Sequence, residues 1–403
     1  MKFLFTVIIA LLFVQCTTTP KQQDTILTKN WDEIVAASKG GTVTMMMYMG
    51  DKKANAYMNN FVIPNLKTQY DITLKIAAGQ GNAIVSALMA EKEAGTNVGQ
   101  IDLCWINGET TYQLKQINGL YGPYNDKLPN SKYIDYNDPI IKYDFQEAIN
   151  GYETPWGKAF YSIITDSAVT KNTPTNLPAF ETYWQQNPGK FTLSLDFMGV
   201  TLLKTWLIEL AGGSNNLDGK FDAVKYEKLS KQLWDLLNKN KKYFWKNGTT
   251  FPESNVAITQ MYSSGELAFA FSFGMATIDR NVLEGLFKPT SKFTILAPGC
   301  IHNANYIAIP YNAPNKAAAL VVCNYLISPE AQIEKSSNNS WGSATILDIE
   351  KLNNIDKAKY IALPKLKFAL PEAEVKSKSI KELAPTYMIK LAEDFRKFVI
   401  EKP

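Results

Sequence analysis

Between residues 43 and 106 the apolar pattern switches from strand to helix spacing and back, which restricts the chain to few architectures. Val43–Met49 is an apolar run with one threonine, bounded by Gly40-Gly41 and Gly50, and reads as a buried strand. Met58, Phe61, Val62 and Leu66 follow at helical spacing, with Pro64 expected to kink or shorten that helix. Ile72, Leu74 and Ile76 alternate as a second strand. Ile84, Val85 and Leu88 return to helical spacing, Gly95 stands where a helix-ending glycine belongs, and Ile101–Ile106 is a third strand. A β-α-β-α-β order predicts a parallel sheet wrapped by helices. Gly79-Gln80-Gly81 begins like a dinucleotide-binding turn, but Ile84 occupies the third small position, so a tight strand-to-helix turn is the reading.

Further along, Phe160–Ile164, Phe191–Leu195, Leu267–Phe273, Phe293–Leu296 and Tyr306–Ile309 read as strands. Helices are expected from Gly199 to Leu210, over residues 222–239, over Ala317–Ile327 and near Pro385–Val399, with Ser328-Pro329-Glu330 as a helix start. No repeat or low-complexity tract interrupts the 403 residues, enough for two domains or two lobes.

Charge chemistry narrows the function. The net charge of +4 is spread along the chain without a basic stripe, so nucleic acid is not an expected partner. Only Arg280 and Arg396 are arginine, which argues against a site built on Arg forks. His302 is the only histidine, which removes multi-His metal sites and His-based acid–base chemistry. No G-x-S-x-G, H-E-x-x-H or P-loop string is present.

The first residues form a targeting segment. Lys2 is followed by an apolar run from Phe3 to Val14, short of the roughly 20 residues needed to span a bilayer. Residues 1–15 therefore read as a signal peptide, Cys16 as a lipid-attachment site and residues 16–40 as a tether, although Phe13-Val14-Gln15 departs from the usual tripeptide; an ordinary cleaved secretory signal is the alternative. Cys104, Cys300 and Cys323 remain, either as buried free thiols or with one disulfide, Cys104–Cys300.

The order of segments resembles the extracellular solute-binding proteins of bacterial ABC transporters. Val43–Gly50 is similar to the first strand and its ligand loop. Ile101-Asp102-Leu103-Cys104-Trp105-Ile106-Asn107-Gly108-Glu109 is similar to the D-x-x-W-x-N-G-E segment of a thiamine-type or polyamine-type branch. Tyr152-Glu153-Thr154-Pro155-Trp156-Gly157 is similar to the hinge crossover, and Tyr306 to Pro310 through Ser328-Pro329-Glu330-Ala331-Gln332 to the return crossover. That branch often carries Trp-Gly-Gly where this chain has Tyr48-Met49-Gly50-Asp51. The resemblance covers nearly all of the chain after the leader. It implies an α/β fold of the two-lobed type II periplasmic-binding-protein class, each lobe a mostly parallel sheet flanked by helices, with a ligand cleft between lobes. Lobe one would be 41–154 plus 300–330, and lobe two 158–297 plus 331–403.

In open α/β sheets ligands sit beyond the carboxyl ends of strands. That rule selects Tyr48, Met49, Asn107, Glu109, Thr110, Glu153, Trp156, Phe197, Thr201 and Phe273 as ligand-binding candidates. Each has a structural alternative: Glu109 as a helix cap, Glu153 as a hinge salt-bridge partner, Phe273 as packing. If Glu109 and Glu153 both face the cleft, two carboxylates without an arginine favour a cationic, thiamine-like or polyamine-like solute. The expected partners are that small solute, an ABC permease and the membrane through the lipid, with the protein a monomer outside the cytoplasm and no cofactor or metal. The rival readings are a secreted glycosidase using Glu109 and Glu153, and a surface-adhesion lipoprotein.

Overall fold

The computed structural model describes residues 25–402; the leader and Cys16 lie outside them. The first lobe follows the strand–helix alternation. Strands β1 (Thr42–Met47), β2 (Thr73–Ala78) and β3 (Leu103–Ile106) pair in parallel, β1 in the middle. Val43, Met45 and Met47 alternate into the core. Between β1 and β2 the helices Lys52–Tyr57 and Ile63–Tyr70 join through a π turn at Met58–Val62. Pro64 lacks an amide hydrogen and falls just after that wider turn, so the helix runs through it rather than breaking. The Asn82–Glu93 helix ends on Gly95 (φ +67°), whose amide donates to Lys92 O at 3.0 Å while Thr96 N donates to Glu91 O at 2.8 Å. Buried Asp102 fastens this layer: its carboxylate accepts from Thr44 N at 2.8 Å and Asn315 N at 2.7 Å.

The small hairpin β4 (Tyr143–Asp144) and β5 (Glu147–Ala148) precedes the long strand β6 (Thr154–Phe160). Three strands, β7 (Ser162–Asp166), β8 (Phe269–Ser272) and β9 (Ser291–Thr294), form the second sheet in the order β8-β7-β9. All its pairings are antiparallel, unlike the mostly parallel sheet expected in each lobe. Phe191–Leu195, read as a strand, is buried but forms none; Phe191 O and Leu195 N make single bonds to Trp245 N (2.8 Å) and Pro252 O (2.9 Å).

Strand β10 (Cys300–Ala308) joins the halves. Residues 306–308 pair antiparallel with β3, residues 302–307 antiparallel with β6, and residues 300–301 in parallel with β11 (Ser379–Ile380). The ladder with β6 shifts register between Asn305 and Tyr306.

Two large buried clusters flank this crossing. The first holds β1 to β3, Trp156, Tyr306–Ile309 and the helix Lys316–Leu326. It also takes in Ala331, Trp341, Ile346, Leu347 and Leu352, so that stretch packs with the first lobe rather than the second, to which the resemblance assigns it. The second cluster gathers the helices Phe197–Leu210, Ala223–Asn240 and Pro385–Phe395 around Trp184 and Trp206. Cys104, Cys300 and Cys323 are buried free thiols; Cys104 lies opposite Ala308, far along β10 from Cys300, so the alternative disulfide does not form.

Candidate functional site

The carboxyl ends of β1 and β3 and the amino ends of two second-lobe helices meet along one seam. Tyr48 follows β1 and folds its ring back over Gly50, leaving no room for a side chain there. Burial, then the carboxylates of Asp196 and Asp51, push its phenol up to about 12. Asp196 belongs to the second lobe, so Tyr48 lies where the lobes face each other. Met49 beside it is 38% exposed.

After β3, Asn107 precedes the Gly108–Gln116 helix, and its side chain makes no capping bond. Thr110 is buried in the first turn. Glu109 retains some solvent contact, but its Oε2 has none and has no hydrogen-bond partner. Burial pushes the carboxyl up to about 7, opposed by its own backbone amide and Lys204 and reinforced by Asp144 and Glu382.

Two lysines stand among the carboxyls around Glu109. Lys204 is fully buried and bound to Glu382, whose other oxygen takes the Asn303 amide at 2.8 Å. Glu153 Oε1 lies 3.0 Å from Lys115 Nζ and Oε2 accepts from Thr111 at 3.1 Å. Glu153 faces Asp144; burial raises both carboxyls, Asp144 to about 6, and the neighbouring Asp144 charge raises Glu153 further. Asp144 also accepts from Gly108 N at 2.7 Å, at the start of the helix that carries Glu109. Four carboxyls, Glu109, Asp144, Glu153 and Glu382, thus meet two lysines, and Oε2 of Glu109 and Oδ1 of Asp144 are left without hydrogen-bond partners.

Three expected ligand residues are placed otherwise. Glu153 is fully enclosed and held by Lys115 and Thr111 inside the first lobe, so the salt-bridge alternative describes it and it does not face the seam with Glu109. Trp156 is also fully buried, 5.0 Å from Trp105 and 5.1 Å from Trp341 between ring centroids. Thr201 is enclosed and donates its hydroxyl to Phe197 O of its own helix at 2.7 Å. Phe197 and Phe273 do come together, 5.5 Å apart and half-buried on the second-lobe side. Phe145, the tip of the β4–β5 hairpin, reaches across from the first lobe to within 6.2 Å of Phe197, and Lys204 Nζ sits 4.3 Å from its ring centre.

The structure adds residues that the strand-end rule does not reach. Trp341 packs on Trp105 (5.6 Å) and donates to Asp51 Oδ2 at 3.1 Å. Arg280, from the second lobe, donates to Trp341 O at 2.8 Å. Lys335 is fully buried, bonded to Trp156 O and, at 3.1 Å, to Ala344 O, so it staples the segment before β11 to the hinge strand β6; burial holds its ammonium well below the usual lysine range. The scarcity of arginine argues against an Arg-built site, so no sequence signal points to Arg280. Chemically the seam offers aromatic faces, the Glu109 carboxyl and backbone groups for noncovalent contact. Among the described residues no cluster of metal-ligating side chains and no helix long and apolar enough to cross a membrane occurs.

Comparison with known proteins fits this geometry. Residues 62–348 match the family model described as bacterial extracellular solute-binding protein. The protein YnjB of Escherichia coli (strain K12) is 33% identical over 328 residues, which cover 80% of this chain and 84% of that protein. Among solved structures, a putative spermidine/putrescine ABC transporter from Listeria monocytogenes aligns with a TM-score of 0.60 at 16% identity, covering 88% of this chain and 98% of the other. The periplasmic binding protein AfuA from Actinobacillus pleuropneumoniae, with fructose-6-phosphate bound, aligns with a TM-score of 0.62 at 11% identity, covering 89% and 98%. The likeness to solved structures establishes the type II periplasmic-binding-protein fold.

Proposed function

The chain belongs to the bacterial extracellular solute-binding proteins, which bind small solutes, work with ABC permeases and are not enzymes, and on that premise we propose that it captures a cationic, thiamine-like or polyamine-like solute between its lobes and delivers it unchanged to an importer. The observation that carries the cationic reading is Glu109 Oε2, a carboxyl oxygen without a hydrogen-bond partner beside the seam, in a cluster with more carboxyls than lysines. An ammonium placed there gains a charge-assisted bond and relieves the cost of the buried carboxylate. Phe197 and Phe273 supply faces for cation–π contact on the other wall, and Tyr48, Met49, Asn107 and Thr110 the first-lobe rim. The name of the Listeria protein supports an amine; AfuA, with a sugar phosphate in the same fold, makes the side chains rather than the fold decide.

Two α/β lobes, the first 41–154 plus 300–352 and the second built on β7 to β9 and the carboxyl-terminal helices, close about β6 and β10. The solute shifts that equilibrium only by its preference for the closed form. Calorimetry with thiamine and polyamines against sugars is the test. Binding of an amine, weakened in Glu109→Gln, supports the reading; sub-millimolar sugar binding with silent amines rejects it. We place the monomer outside the cytoplasm, tethered by lipid on Cys16, so Cys16→Ser should move it from the membrane fraction to the soluble one.

A further inference from the structure

Asp51 is fixed before it meets the other lobe. Its Oδ1 caps the Lys52–Tyr57 helix, accepting from Lys53 N at 2.9 Å and Ala54 N at 3.2 Å. Its Oδ2 takes Trp341 Nε1 of the same lobe at 3.1 Å and, across the seam, Arg280 Nη1 at 3.5 Å. Arg280 lies on the Thr277–Leu283 helix, rooted in the second lobe by Ile278 and by Asp279, which accepts from Lys367 N at 2.6 Å and Phe368 N at 3.2 Å. Its Nη1 also donates to Trp341 O. Four residues on, Glu284 reaches back to Lys53 at 3.6 Å.

We propose that Arg280 and Glu284 of the second lobe, with Asp51 and Lys53 of the first, form a latch that stabilises the closed shape before solute arrives and positions Trp341 over the seam. The inference rests on the solute-capture reading and adds to it what sets the shape of the empty protein. The two pairs have opposite polarity: a second-lobe cation meets a first-lobe anion, and the reverse beside it. Sliding one lobe past the other therefore breaks both. Packing accompanies the charges: a Cβ on Gly342 would lie 2.6 Å from Ala276 Cβ, so the strap that carries Trp341 touches the second lobe. The side chains of Arg280 and Asp51 are 16% and 28% exposed, those of Lys53 and Glu284 30% and 43%, so the first pair is the better shielded and holds more of the effect.

The latch also sets affinity. A solute that needs the closed form binds in proportion to the fraction closed, so loss of the latch raises the apparent Kd by the factor by which that fraction falls. Salt weakens the exposed pair most, because the screening length falls from roughly 20 Å at about 20 mM to about 4–5 Å at about 500 mM.

Small-angle scattering on the solute-free protein at those two salt concentrations is the test. The wild type should expand at high salt. Arg280→Gln should be expanded at both, with roughly a two- to fivefold higher open-to-closed ratio. The double variant Lys53→Gln with Glu284→Gln, altered only at partly exposed positions, should fall between and decides the matter if Arg280→Gln melts early. A wild type with the same dimensions at both salts, or latch variants that match it at low salt, overturns the proposal. Because no solute is present, a wrong solute class leaves this result untouched. Silence in calorimetry with the latch response intact would count against solute capture alone.

Discussion

Glu109 stands in the first turn of a helix, where the dipole favours a carboxylate, yet burial outweighs that and carries its pKa from 4.5 to about 7. The sign for stability follows. The folded state prefers the protonated form, so this group's contribution is fully present below about pH 4.5 and is lost as pH rises through about 7. Glu109→Gln should therefore melt higher than the wild type at pH 8, by ~1–2 kcal/mol of stability, and indistinguishably at pH 4. Binding runs the other way. A cationic solute needs the carboxylate, so affinity should drop below about pH 7 by up to about tenfold per unit, and calorimetry on Glu109→Gln should show weak, pH-independent binding. An amine affinity flat from pH 5 to 8 in the wild type would remove Glu109 from the site. The place of Glu109 after β3, at the start of a helix, could be read from the sequence. For Glu153 the sequence left ligand and salt bridge open, because its inward turn depends on Lys115 and Thr111 presented by a neighbouring helix, and no local pattern encodes that meeting.

The β4–β5 hairpin is the element that couples the lobes away from the latch. Its turn residues Phe145 and Gln146 have φ of +47° and +67°, left-handed values that cost roughly 1–3 kcal/mol each outside glycine. The second lobe compensates: Phe145 is buried there, and Gln146 donates to Glu382 O at 2.7 Å and accepts from Gly219 N at 2.8 Å. Gly108, itself at φ +49°, has the Phe145 ring 2.6 Å from where a Cβ would stand, so only glycine lets the peg lie against the Glu109 helix. Phe145→Ala should cost about 3–4 kcal/mol in urea unfolding, and weaken solute binding besides, because it empties the contact between hairpin, Lys204 and Phe197. A variant within about 1 kcal/mol of wild type would mean the hairpin is not held by its tip. The sequence hid this element: the turn lacks the Asn-Gly signal that marks tight hairpins. It hid the second sheet's direction for a related reason, since a short buried apolar run does not report which way its neighbour runs. The first sheet was readable because each strand is followed by a helix, which leaves parallel pairing as the short right-handed solution.

At the scale of the whole molecule, closure is a matter of where the strap before β11 lies. Lys335 fastens it to β6 through Trp156 O and Ala344 O, and Trp341 then bridges Trp105, Trp156, Asp51 and Arg280. The resemblance places residues 331–403 in the second lobe, and it is the burial of Trp341, Ile346 and Leu347 in the first cluster, which no local pattern encodes, that puts this stretch with the first lobe. The arrangement gives closure an optical signature. Three of the eight tryptophans meet here, and Trp341, whose Asp51 bond stays within the first lobe, loses its second-lobe neighbour Arg280 if the lobes part. Trp184 and Trp206 sit deep in the second core and keep their surroundings in either state. Adding solute should therefore change tryptophan emission. Trp341→Phe should lose more than about half of that change while still binding, and Trp184→Phe should keep it, since buried-core contacts do not rearrange in a rigid-body hinge. An undiminished change in Trp341→Phe would show that the lobes close about some other line than the strap.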